Sequence, residues 1–172
     1  MTFQKLAAIA AFSLVSSAIH AQTANSGPYA EIAYTSAKYS AQAVSGSWTP
    51  SALRGVVGQG FHEYAAVEAM LLLGVSESTN LGAPLKLESG VGIYLKPRVR
   101  FGESAEVFAR LGWANINTKV GTTSATDNGT SYGAGASYGF NKTTSLNLDY
   151  MVYNEANNSK IDGVSIGVGY KF

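Results

Sequence analysis

The sequence predicts an all-β protein, an eight-stranded antiparallel up-and-down transmembrane β-barrel. Three observations carry that expectation. Several stretches alternate apolar with small or polar residues at a period of two. Charged residues make up 13% of the chain, against about 25% in an average soluble protein. Glycine is abundant, at 19 residues, beside 10 Tyr and 7 Phe. The hydrophobic share is an ordinary 46%. Lys and Arg number 12 and Asp and Glu 11. That balance argues against a nucleic-acid partner, which calls for a basic excess, and against a charged disordered tail. With no cysteine, a disulfide framework, a thiolate zinc site and a cysteine nucleophile are excluded.

The first 21 residues read as a secretory signal peptide. Lys5 supplies a positive start, Leu6–Val15 an apolar stretch, and Ser16–Ala21 a small, mildly polar end, with cleavage expected after Ala21. A membrane-spanning helix needs about 20 apolar residues, and Ser13, Ser16, Ser17, His20 and Gln22 stop the run too early. The barrel domain is then 22–172, with His62 as its one histidine.

Four strands read clearly. In 163–172, Val164, Ile166, Val168, Tyr170 and Phe172 alternate with Gly163, Ser165, Gly167, Gly169 and Lys171. Stretches 145–153, 131–140 and 90–101 alternate in the same way. Weaker strands fall at about 28–36, 52–61, 64–75 and 106–117. Leu71, Leu72 and Leu73 blur the pattern in one of them. Phe108 and Ile116 sit on the small-residue face of another. Pro97 cannot donate to a ladder, so a bulge or weak point is expected there. Short turns are expected around His62–Glu63, Gly102–Ala105 and Asn141–Thr143, each after an aromatic residue: Phe61, Phe101 or Phe140. Long Ser/Thr/Asn-rich loops are expected at about 37–51, 76–87, 118–129 and 154–160.

The apolar face must point outward. A soluble barrel would turn its Gly/Ser face to water almost without charge, whereas soluble surfaces hold about 25–35% charged residues. Facing lipid, the apolar residues are at home. The small residues then fill a lumen that in eight strands has little room. A basic residue on the lipid face costs roughly 2–4 kcal/mol at mid-depth. Lys96, Arg98, Arg100 and Arg110 share parity with small or polar neighbours, which puts them inside, as it does Glu31, Arg54, Glu68 and Asp149. Counted from the short-turn end, Glu31, Glu68, Arg98, Arg110 and Asp149 fall at one height, with Lys96 a step above. Three acids facing three bases read as a structural plug, since buried ions persist when paired. The alternative reading is a gate in a small pore.

The segments SYGAGASYGFN (131–141), LNLDY (146–150) and VSIGVGYKF (164–172) resemble the last three strands of the OmpA/OmpX-type eight-stranded outer-membrane barrels. Ser165, Gly167, Tyr170 and Phe172 resemble the β-signal read by the outer-membrane assembly machinery. The likeness is closest over 131–172. It implies a bacterial outer-membrane, porin-like barrel domain among outer-membrane lipids, delivered by secretion and periplasmic chaperones. No peptidoglycan-binding domain is expected after the barrel. The loops are neither long nor rich in charge, so adhesion is not carried over from relatives.

Enzyme chemistry is not expected. His62 lies in a short turn without a positioned nucleophile, and one histidine makes a poor metal site. Gly133, Gly135 and Gly139 precede no helix and are no nucleotide loop. The expected function is an integral barrel with a structural or surface-interaction role, its lumen closed by Glu31, Glu68, Lys96, Arg98, Arg110 and Asp149. It is expected to be a monomer without cofactor, with an extracellular ligand, if any, at the longer loops. A small-solute or ion channel is the alternative, and an outer-leaflet lipid-modifying enzyme a distant third.

Overall fold

Strand follows strand through the computed structural model, which describes residues 27–41, 47–80, 83–121, 123–156 and 159–172. The expected signal peptide, 1–21, lies outside the described residues. Eight long strands form the wall: β1 (Pro28–Ala41), β3 (Ser51–His62), β4 (Ala65–Gly74), β6 (Ala83–Phe101), β7 (Ala105–Val120), β8 (Thr123–Gly139), β9 (Thr144–Ala156) and β10 (Ser159–Lys171). Two short strands, β2 (Ser47–Trp48) and β5 (Glu77–Asn80), pair with β1 and β6. Each wall strand runs antiparallel to the next. β10 closes on β1 from Tyr29↔Lys171 to Ala41↔Ser159. Closure removes the sheet edges that hydrocarbon could not satisfy.

The period-two pattern sets the two faces. Ile32, Leu53, Leu71, Ile93, Leu111, Leu148 and Ile166 point outward and are exposed. Phe61, Tyr64, Phe101, Tyr138, Phe140, Tyr170 and Phe172 gather, also exposed, at the short-turn end. Tyr138 and Phe140 meet edge to face, as do Tyr170 and Phe172. This is an aromatic girdle of the kind that marks a membrane interface. Phe108, Ile116 and Leu72 are buried in the lumen. As their parity requires, they are apolar filling of the inner face.

One expectation is corrected and another is narrowed. Among the described residues, the stretches expected as long loops are largely strand; 42–46, 81–82, 122 and 157–158 lie outside them. β6 begins at Ala83, and β7 and β8 pair up to Val120↔Thr123 around Gly121, whose φ of +61° suits glycine. Thr- and Val-bearing alternation continues past the apolar belt, and β pairing needs pattern rather than lipid. Pro97 lies opposite Ala65 in the β4–β6 ladder. In the β6–β7 ladder, pairing lapses between Leu95↔Leu111 and Arg98↔Phe108 without a change of register. Of the two outcomes expected at Pro97, a bulge or a weak point, the structure gives the weak point. The register shifts lie elsewhere: between Leu87 and Ser89, between Gly60 and His62, and between Ile161 and Asp162. The last leaves Tyr153 as the extra residue of β9, where it is buried.

Candidate functional site

Alternation along each strand delivers the lumen. β1 contributes Glu31, β3 Arg54, β4 Glu68, β7 Arg110 and β9 Asp149, all buried. Glycines make the room. A Cβ on Gly58 would run into the Tyr29 ring, and one on Gly135 would meet Phe108 Cζ at 2.6 Å.

Two guanidinium groups hold three carboxylates. Arg110 Nη1 donates to Asp149 Oδ2 at 2.6 Å and Nη2 to Glu31 Oε2 at 2.9 Å, while its Nε donates to Glu68. Arg54 Nη2 donates to Glu31 Oε1 at 2.7 Å and to Asp149, and its Nη1 to Asp149 Oδ1 at 2.8 Å. Further donors fill remaining lone pairs: Tyr29 Oη to Glu68 Oε1 at 2.6 Å and Asn147 Nδ2 to Glu31 Oε2 at 3.0 Å. Burying such ions costs several kcal/mol each, and the cost is offset by partners as close as these; among the cluster's guanidinium nitrogens, Arg54 Nε is buried without a hydrogen-bond partner. The planar fork of arginine suits the task, since one group can serve several carboxylates.

Lys96 borders this cluster, 3.5 Å from Glu68 and 3.5 Å from Glu106. Its Nζ lies 4.2 Å from the Phe108 ring centroid, and the Arg110 guanidinium lies 4.8 Å from the same centroid. Arg98 is not at this height. Its Nη1 lies 3.8 Å from Glu106, its Nε donates to the Glu63 carbonyl at 3.1 Å and its Nη2 to the His62 carbonyl at 3.2 Å. The register explains the correction. Glu68 pairs with Tyr94, so Arg98 starts four residues nearer the turn, and its long side chain follows the turn carbonyls. Arg54, which parity put in the lumen but outside the level cluster, is central. Its Cα lies opposite Ala33, one step above the Glu31 face, and its side chain spans the step. Counting Cα heights could not register that reach.

Above the ions the lumen turns apolar. Met70, Leu72, Leu87, Ile116, Met151 and Tyr153 pack there with Val56 and Tyr94. The Tyr94 hydroxyl bonds Ser131 Oγ at 3.0 Å, and Ser131 Oγ donates to the Val152 carbonyl. Between Arg54, Val56, Glu68, Met70, Tyr94, Arg110 and Met151 no water-sized space remains.

The residues of the expected assembly signal line β10 and its end. Ser165 Oγ lies 2.9 Å from Thr35 Oγ1 inside the barrel, and Gly167 abuts β1 so closely that a Cβ would meet that of Ala33 at 2.5 Å. Tyr170 and Phe172 belong to the girdle, and the Phe172 N–H donates to the Pro28 carbonyl. His62 is exposed in its turn, its Nδ1 accepting from the Tyr64 N–H at 3.3 Å.

The family model of the outer membrane protein beta-barrel domain matches residues 7–172. No curated protein matches the sequence. Among solved structures the chain is similar to Neisserial surface protein A, at 19% identity and a TM-score of 0.67, covering 85% of this chain and 97% of that one. It is also similar to Ail of Yersinia pestis, solved with the heparin analogue sucrose octasulfate, at 14% identity and a TM-score of 0.63, covering 86% and 99%. A third is OprG of Pseudomonas aeruginosa, at 14% identity and a TM-score of 0.57, covering 86% and 97%. At these identities the likeness is one of fold.

Proposed function

The chain belongs to the outer membrane protein beta-barrel domain family, and from that premise we propose a closed, non-catalytic barrel whose lumen is a structural plug and whose working surface projects beyond the lipid. As a member of this family it resides in the bacterial outer membrane, in contact with its lipids. Barrels of this type keep short turns in the periplasm, so the far ends of β6, β7 and β8 stand outside the cell.

The plug reading is supported by the two stacked layers, five ions below, each in at least one ion pair, and an apolar filling above. An ion crossing the barrel would have to displace both, which is why the channel reading has less support.

The surface reading is carried by one observation. Among the described residues, Thr123–Ser131 of β8 pair with β7 on one side, and the β8–β9 ladder begins only at Tyr132↔Val152. An edge with free N–H and C=O groups is a template for an added strand. The occupant proposed is an extended peptide segment. A sulfated ligand like the one bound by Ail has less support, because Lys38, Lys86, Lys119 and Lys160 at this end are interspersed with Glu77, Glu88, Asp127, Glu155 and Asp162. We read the final strand, with Ser165, Gly167, Tyr170 and Phe172, as the segment engaged by the assembly machinery, and the barrel as a monomer.

The test is a peptide array probed with the purified barrel. N–H groups alternate sides along a strand, so Asp127→Pro and Asn128→Pro are compared. One of them should abolish peptide capture while the barrel stays folded. Capture unchanged in both, or no capture by the wild type, would overturn the surface reading.

A further inference from the structure

Below the cluster of three carboxylates and two guanidiniums, which Lys96 brings to balance through Glu68, the periplasmic mouth of the lumen holds Arg98, Arg100 and Lys171 against Glu106. Lys96, Arg98 and Arg100 occupy alternate, inward positions of β6, and Lys171 enters from β10 on the opposite side. Lys171 lies at this mouth, at the end of β10 where it pairs with Tyr29. Glu106 is already shared: it lies 3.5 Å from Lys96, 3.8 Å from Arg98 and 3.3 Å from Arg100. Among the described residues Lys171 forms no ion pair. Arg100 Nε donates to Glu106, but its Nη2 is buried without a hydrogen-bond partner.

We propose that this mouth is a binding site for a phosphate-type oxyanion, with Arg100 and Lys171 as its principal contacts and Arg98 supplying the field. The chemistry is that of a cationic ring around one overcommitted carboxylate. Like charges gathered in a narrow mouth repel one another, and a polyvalent oxyanion relieves this; the Arg100 side chain, 23% exposed, would turn its unpartnered donor to the anion on binding. Guanidinium groups match the geometry of phosphate oxygens. The site opens to solvent through Lys171, which is exposed. It is separate from the far-end edge and does not depend on the peptide reading. Two sources present this chemistry on the periplasmic side: free phosphate and the headgroups of inner-leaflet phospholipids.

The experiment follows arginine Nε–H and backbone N–H signals of the intact, 15N-labelled barrel in a maltoside detergent. Inorganic phosphate is titrated against sodium chloride at matched ionic strength. A second arm uses nanodiscs of phosphatidylcholine with and without phosphatidylglycerol, free of phosphate. The expected result is a saturable shift at Arg100 and Lys171. Shifts with inorganic phosphate assign a soluble ligand, and shifts with phosphatidylglycerol alone assign a lipid headgroup; either supports the site. Arg100→Gln should weaken binding by about tenfold, the loss of one charge-assisted contact. Glu106→Gln should strengthen it, because a competing carboxylate is gone; a purely structural role for Glu106 would not do so. Equal shifts with chloride, no shift in both arms, or unaltered binding by folded Arg100→Gln would overturn the proposal.

Discussion

Arg54 and Asp149 stand on strands that are not neighbours, β3 and β9, yet Arg54 Nη1 donates to Asp149 Oδ1 at 2.8 Å across the lumen. The bond ties together two wall strands three places apart around the barrel. It exists because both residues face inward and because glycines leave the space.

The first prediction concerns this tie. Arg54→Ala strands Glu31 and Asp149 with fewer donors. Breaking a buried pair costs about 3–5 kcal/mol, less where water enters. Urea unfolding of the barrel in lipid vesicles should show that loss, and Asp149→Ala in the same chain should recover part of it. An unchanged midpoint for Arg54→Ala would mean that the lumen is hydrated enough to replace the guanidinium.

A second prediction separates the two heights of charge. Glu68 bonds Arg110 directly, whereas Arg98 lies with Glu106 and the turn carbonyls. Double-mutant cycles to alanine should therefore give a coupling of about 0.5–3 kcal/mol for Glu68 with Arg110. Glu68 with Arg98 should couple more weakly. Equal coupling in both cycles would mean that the register between β4 and β6 differs from the one described.

The sequence carried the wall better than the interior. Inward and outward faces follow from parity alone, because a strand turns each successive side chain to the opposite side, and Ser165, Gly167 and Val168 show it without ambiguity. Parity also put Arg54, Glu68 and Asp149 inside. It could not say which of them meet. That depends on side-chain reach, as with Arg54, and on register shifts near Glu88 and Tyr153, which local alternation does not reveal. Phe108 and Ile116 looked misplaced because an apolar residue was expected only against lipid. Ile116 belongs to the apolar layer inside the lumen, and the Phe108 ring packs against the Lys96 and Arg110 cations.

The third prediction tests the end of β10. Phe172→Ala removes an exposed ring stacked edge to face on Tyr170 and leaves the lumen contacts of Ser165 untouched. If the strand is engaged by the assembly machinery, insertion into the outer membrane should fall while secretion continues. Cell fractionation with heat-modifiability on gels reads both. Normal yields of folded barrel would remove Phe172 from that role.

The central claim is that the lumen is shut by a paired charge layer beneath an apolar one. Planar-bilayer recording of the purified wild-type barrel tests it most directly. The account predicts no steady conductance, with leakage rising in Glu68→Ala, where Lys96 and Arg110 lose a shared partner. Large, steady wild-type conductance would contradict it and promote the channel reading.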